Sequence, residues 1–229
     1  MSLGTDAFAM EEETNGEFIL IPCHDKGSDV RGVEDDAFFS CFHFGPAFEQ
    51  KNDKEENELV INACVFDQYM FRGEMGYDGI LQEFDPIGWG SSGMAPPPRL
   101  DQYMIDADYF QVKRKERVPV IPVDIPNFDG DARYCQCLYF LGASRPKGWF
   151  PFQQIVNLDL ETFELIVYDG GDGQVVSEPM FIRRDGAECK GNGFVISIVH
   201  NADEKDEKLM IWDSPTFADG PIAECSLGD

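Results

Sequence analysis

Eleven short apolar runs, separated by turn-forming residues, constrain this chain more than any other feature. They occupy 18–22, 37–44, 59–66, 118–125, 134–141, 154–160, 163–168, 180–182, 194–199, 209–212 and 222–226, and are rich in Val, Ile, Phe and Tyr. Gly, Asp, Asn and Pro fall between them. Runs of this length and composition predict strands. Their close succession predicts antiparallel pairing of each run with the next, in a sandwich, barrel or propeller. The expected class is all-β, and 1–229 reads as one unit. Helical periodicity is weak throughout, and its best window, 101–110, predicts no more than a short surface turn. The Gly- and Pro-rich interval 73–98, with Ala95-Pro96-Pro97-Pro98 at its end, predicts a long loop excursion over 73–110. The acidic tract 49–58 and the polar stretch 201–208 predict solvated hairpin turns.

Composition removes several function classes. The chain of 229 residues carries 43 acidic against 18 basic residues, a formal charge of -25. Such a charge repels phosphate backbones and anionic membranes, so nucleic acid is not an expected partner. No run approaches the roughly 18 apolar residues of a spanning helix, so no transmembrane segment is expected. The acidic start, 1–15, is unlike a targeting segment. The sequence leaves peripheral membrane contact undetermined. Seven cysteines, at Cys23, Cys41, Cys64, Cys135, Cys137, Cys189 and Cys225, lie mostly in strand-like runs, where a thiol behaves as a small hydrophobe. They fit a reducing compartment, cytoplasmic or another, the plastid included. Cys135-Gln136-Cys137 lacks the second pair that a zinc site requires.

The residues with chemical potential are few. His43 closes the run Ala37-Phe38-Phe39-Ser40-Cys41-Phe42-His43-Phe44. Strict alternation puts Phe39, Cys41 and His43 on one face, and Phe38, Ser40, Phe42 and Phe44 on the other. Both faces are largely apolar, which predicts an inner strand. An imidazole there needs partners for both ring nitrogens or a metal ion. Taken alone, a satisfied core histidine is the commoner outcome. Asp124, in Val118-Pro119-Val120-Ile121-Pro122-Val123-Asp124-Ile125-Pro126, and Glu178, in Ser177-Glu178-Pro179-Met180-Phe181-Ile182, are acids set in apolar strands. Buried, such carboxylates accept the second N–H of a metal-bound histidine; at a strand edge they face water. His24 and His200 sit at strand ends, so a site of three histidines is not expected.

Three segments carry a resemblance. Phe42-His43-Phe44-Gly45-Pro46-Ala47-Phe48-Glu49 resembles the segment bearing the third iron-binding histidine of carotenoid cleavage oxygenases, usually Phe-His-x-x-Asn-Ala-x-Glu, with Pro46 in place of Asn. Asp124-Ile125-Pro126-Asn127-Phe128 is similar to the family's Glu-Phe-Pro-x-Ile-Asn segment, one methylene shorter at the acid, which puts the bond to its histidine at risk. Ser177-Glu178-Pro179-Met180-Phe181-Ile182 resembles the Glu-Pro-x-Phe-x-Pro block. Asn62-Ala63-Cys64, the glycine-led run 193–199 and the run 209–213 also look like family strands in the expected order.

The resemblance implies about three to four blades of a seven-bladed β-propeller, the C-terminal part of the family's length. It implies an Fe(II) cofactor, dioxygen, and oxidative cleavage of a carbon-carbon double bond in an apolar polyene (carotenoid, apocarotenoid) or a stilbene. His43 would be one metal ligand, with Glu178 and Asp124 orienting ligand histidines. The family uses four such histidines and this chain has three in all. Two ligands are therefore expected upstream of Met1 and the fourth shortly after Asp229. An open part-propeller exposes sheet edges, which argues against a stable isolated monomer. A rival reading from another class is a non-catalytic, divergent propeller fragment acting as a binding or interaction module, which the replacements Pro46 and Asp124 fit. No calcium loop of the EF-hand type, P-loop, dinucleotide fingerprint or Gly-x-Ser-x-Gly elbow is present.

Overall fold

A computed structural model describes residues 15–23, 29–66, 97–118, 121–130, 135–143, 151–171, 173–187 and 191–228. His24, Cys189 and the interval 67–96, which holds most of the expected excursion, lie outside the described residues. Antiparallel strands form four sheets in chain order. β1 (Glu17–Leu20) and β2 (Arg31–Glu34) form a hairpin; β3 (Ser40–Lys51), β4 (Asn57–Phe66), β5 (Arg99–Asp106) and β6 (Gln111–Arg117) follow as a meander. A second meander holds β7 (Val123–Phe128), β8 (Cys137–Gly142), β9 (Gln154–Asp159) and β10 (Leu165–Asp169). In the last sheet β11 (Gln174–Val176) and β12 (Met180–Arg183) lie one after the other along the same edge of β13 (Gly193–Asn201), which pairs with β14 (Asp206–Asp213) and through it with β15 (Ala223–Ser226). A 3₁₀ turn, Ser214–Asp219, joins β14 to β15.

The sheets stack face to face, and a core fills each gap. Phe18 and Val33 of the hairpin pack on Ile61, Ala63, Val65, Tyr103 and Ile105. On the other face of the same sheet, Cys64 and Leu100 meet Leu138, Phe140, Val156 and Leu158. The third core joins Tyr139, Leu141 and Ile155 to Val195, Val199, Met210, Trp212 and Phe217. Within β8 the residues alternate, Leu138 and Phe140 to one core and Tyr139 and Leu141 to the next, as the two-residue period of a strand requires. Edge-on packing of Tyr168 against Trp212, with ring centroids 4.9 Å apart, closes the third core.

Hairpin turns repeat one device. Asn52, Asp106, Asp159 and Asn201 each accept two backbone N–H groups of their turn through a side-chain oxygen. Each turn then closes on a residue of positive φ: Glu55, Phe110, Phe163 and Lys205. Asn and Asp offer this local bond, and it replaces the ladder that the reversing chain gives up.

Two expectations are corrected here. The surface turn over 101–110, and with it the end of the excursion over 73–110, is strand from Arg99 to Asp106. β5 lies between β4 and β6, and its acid Asp101, fully buried, is paired with Arg99 at 3.1 Å. Polar residues satisfied in this way interrupt the apolar alternation that marks a strand. Second, β3 is the edge of its sheet and not an inner strand, with Phe42 and Phe44 42% and 52% exposed. β7, the first strand of the next sheet, packs against β3 and also reaches β4 and β5.

Candidate functional site

Every predicted site residue lies on, or at a break of, the strand edge that opens its sheet. His43 is on β3, Asp124 on β7, and Glu178 between β11 and β12. These strands neighbour one another in space, β3 against β7 and β7 against β12. Each is also irregular next to its site residue, and each has a proline at a break, although β3 skips register a second time at Phe42 without one. β3 skips register between Phe44 and Ala47, around Pro46; β7 skips between Asp124 and Asn127, around Pro126. β11 and β12 are separated by Ser177-Glu178-Pro179. Proline lacks the N–H that a ladder needs, so it belongs at sheet edges and bulges, where the break re-aims the adjacent side chain.

The structure brings His43 and Asp124 together across 81 residues of sequence, with Nδ1 2.9 Å from Asp124 Oδ1. The hydrogen bond put at risk by the shorter acid is made. The same oxygen accepts the Ile125 N–H at 2.8 Å. Ile125 sits at φ 53°, a left-handed conformation that a β-branched residue rarely adopts. Strain of this kind costs on the order of 1–3 kcal/mol and persists where surrounding contacts enforce it. Here it turns the backbone so that the carboxylate bonds both the imidazole and its own neighbour's N–H.

Burial pushes the Asp124 carboxyl up from its ordinary value, and the bonds from the Ile125 N–H and from His43 pull it back down. With Asp124 ionised the carboxylate only accepts, so this bond calls for the proton on Nδ1, and the Nε2 lone pair of a neutral His43 then faces away from the acid. The His43 side chain is 43% exposed. Two thiols flank it: Cys41 donates to the His43 carbonyl at 3.2 Å, and Cys64 is its register partner on β4. Burial, reinforced by the Asp124 charge, pushes the Cys41 thiol up to about 12 and raises the Cys64 thiol as well. This bias towards the protonated thiol makes both sulfurs poorer metal donors than Nε2.

The bulges also alter the predicted face of His43. Cys41 pairs with Val65 and His43 with Cys64, so Phe42 is an extra residue and strict alternation does not carry across it. Glu178 is exposed, and neither a hydrogen bond nor an ion pair links it to His43 or Asp124. His200 ends β13 beside Glu207, its Nδ1 3.4 Å from the Glu207 carboxylate. Among the described residues no group of three or more His, Cys, Asp or Glu is placed to hold a metal ion. The residues present fit one ligand position of a metal centre and do not complete one. Sequence reading missed the Asn62 and Gln102 side chains behind β3: Asn62 Nδ2 donates to the Pro46 carbonyl at 2.8 Å, and Gln102 Nε2 to Asn62 Oδ1 at 3.0 Å. Their signal was a polar pair inside apolar strands.

The family profile of the retinal pigment epithelial membrane protein matches residues 1–229. The chain belongs to this family. Apocarotenoid-15,15'-oxygenase of Synechocystis is 23% identical over 216 residues, 92% of this chain and 40% of that protein. Isoeugenol monooxygenase of Pseudomonas nitroreducens is 25% identical over 142 residues, 57% of this chain and 30% of its own length. The chain thus spans less than half the length of these curated relatives. The solved structure of cobalt-substituted Synechocystis ACO superposes with a TM-score of 0.76 at 19% identity, covering 94% of this chain and 42% of that one. The four sheets are an open sector of the seven-bladed propeller that this retinal pigment epithelial membrane protein family shares. Among the described residues no helix is long and apolar enough to cross a membrane.

Proposed function

We propose that this chain forms part of a non-haem iron oxygenase that cleaves a carbon-carbon double bond of an apolar substrate, a carotenoid, apocarotenoid or stilbene, with dioxygen. The observation that carries the reading is the His43–Asp124 pair at 2.9 Å on adjoining first strands. It presents one neutral imidazole with its tautomer fixed, as a metal ligand requires. When bound, ferrous iron would supply the open positions at which dioxygen and an alkene meet. This chain's part is narrower: His43 offers Nε2, Asp124 holds the proton on Nδ1, and the bulges of β3 and β7 aim both groups. Glu178, at the matching break of the next first strand, would orient an imidazole beyond the described residues. Names of relatives support the substrate class, since the proteins matched include an apocarotenoid oxygenase and a carotenoid cleavage dioxygenase.

Iron analysis tests the reading. Residues 1–229 alone are expected to bind no stoichiometric iron and to cleave nothing, whereas a longer protein carrying further histidines is expected to bind one iron and to lose it in His43→Ala. Iron retained in that variant, or absent from the longer protein, favours the reading of a non-catalytic binding module.

A further inference from the structure

We propose that Asn62, backed by Gln102, is a positioning residue for His43 and acts through the carbonyl of Pro46. This deepens the reading of His43 as a metal-facing imidazole and rests on that reading for its purpose. β3 pairs with β4 in register for only two residues around the site, His43 with Cys64 and Phe44 with Ala63. The register is interrupted on both sides of that pair, at Phe42 and at Gly45-Pro46. A two-residue registered segment between two bulges has little ladder of its own, so its rotation is set by whatever fixes the bulges.

Asn62 fixes the second one. It is the β4 residue between the partners of Phe44 and Ala47, so two residues of β3 oppose this one residue of β4. Pro46 has no N–H for the ladder, and its carbonyl is held by Asn62 Nδ2 at 2.8 Å. Gly45 lies directly over Asn62: a Cβ at Gly45 would stand 3.1 Å from the Asn62 Cβ. Asn62 is fully buried, and its amide orientation is set in turn by Gln102 Nε2 on β5 at 3.0 Å. A chain of side chains therefore runs from β5 through β4 to the backbone that aims His43 at Asp124. Without the Asn62 donor the Pro46 carbonyl is orphaned, and the bulge relaxes by turning β3, which carries Nδ1 away from the carboxylate.

The test reads the imidazole directly in the full chain without metal, by two-bond ¹H–¹⁵N correlation spectra; with three histidines in the sequence, His43→Gln assigns the resonance. The wild type is expected to show the Nδ1–H tautomer for His43. Asn62→Ala is expected to lose that signature and show mixed tautomers, Gln102→Leu to shift the same way by less, and Val60→Ala, a buried change on the same strand, to leave it intact. A folded Asn62→Ala with the wild-type His43 signature overturns the proposal. So does an unchanged signature in Gln102→Leu where Asn62→Ala does not fold, or an equal loss in Val60→Ala. Failure of iron binding in the longer protein leaves this readout untouched, so the two readings fail separately.

Discussion

The first strands and the middle strands of these sheets are built on different terms. The inner ladders β4–β5, β8–β9 and β13–β14 run without a register skip, and the side chains of these strands fill the three cores. The first strands, β3, β7 and the broken β11–β12, carry prolines at their breaks and a strained Ile125; one further register skip, at Met104–Ile105 between β5 and β6, lies away from the site residues. Stability is concentrated where the ladder is regular. Candidate chemistry is concentrated where it is broken, since a bulge is a means of aiming a side chain that period-2 geometry would otherwise point elsewhere.

Mutation should separate the two regions. Trp212→Ala on β14 removes a fully buried ring from the third core and is expected to cost about 3–5 kcal/mol, read as a lowered urea midpoint at unchanged m-value. Asp129→Ala tests the junction of first strands, because Asp129 at the end of β7 holds Arg183 of β12 through two bonds of 2.7 and 2.6 Å. Arg183 is half exposed and regains water, so the expected loss is about 1–2 kcal/mol by the same assay. Asn201→Ala removes two turn N–H bonds and should cost about 0.5–1.5 kcal/mol. A loss at Asn201 as large as that at Trp212 would show that turns and core carry stability alike.

The smallest effects, and the most diagnostic, are in pH. Asp124 has its carboxyl raised, by burial first. A raised group contributes stability below its unfolded value near pH 4 and loses it as pH rises through the folded value. Asp159, in the β9–β10 turn, is the converse: burial alone would raise it, but the Thr162 and Glu161 N–H groups outweigh that and hold it low. Its contribution is present above about pH 4 and is lost as pH falls. Denaturation profiles of Asp124→Asn and Asp159→Asn, each taken relative to wild type between acid and neutral pH, should therefore slope in opposite directions. Parallel slopes would show that first strands and turns treat their carboxylates alike.

How far the sequence could be read depended on how each residue's partners are arranged. Strands dominated by apolar residues were legible: 59–66 is buried at nearly every position, and 194–199 shows burial at alternate positions, the two-residue period of a strand with one face on a core. β5 and β6 were not. Asp101 and Gln102 break the pattern of β5, and the chemistry that makes them tolerable, Arg99 and Asn62, is supplied from its own strand and a distant one. β6, Gln111–Arg117, contains no apolar run, and its lysines are satisfied from elsewhere: Lys113 by Asp106 of β5 and Lys115 by Asp35, just past β2. Their hairpin turn, Asp106-Ala107-Asp108-Tyr109-Phe110, contains neither Gly nor Pro, and Asp106 supplies the turn bonds instead.

By itself the sequence determined an all-β chain, most of its turns, and the order of His43, Asp124 and Glu178, because turn chemistry and apolar periodicity are local properties. The tertiary structure alone decided that His43 meets Asp124, that Glu178 stands in the open, and that Asn62 reaches the Pro46 carbonyl. Register, bulges and the packing of one sheet on the next are relations between segments far apart in the chain, and no single segment encodes them.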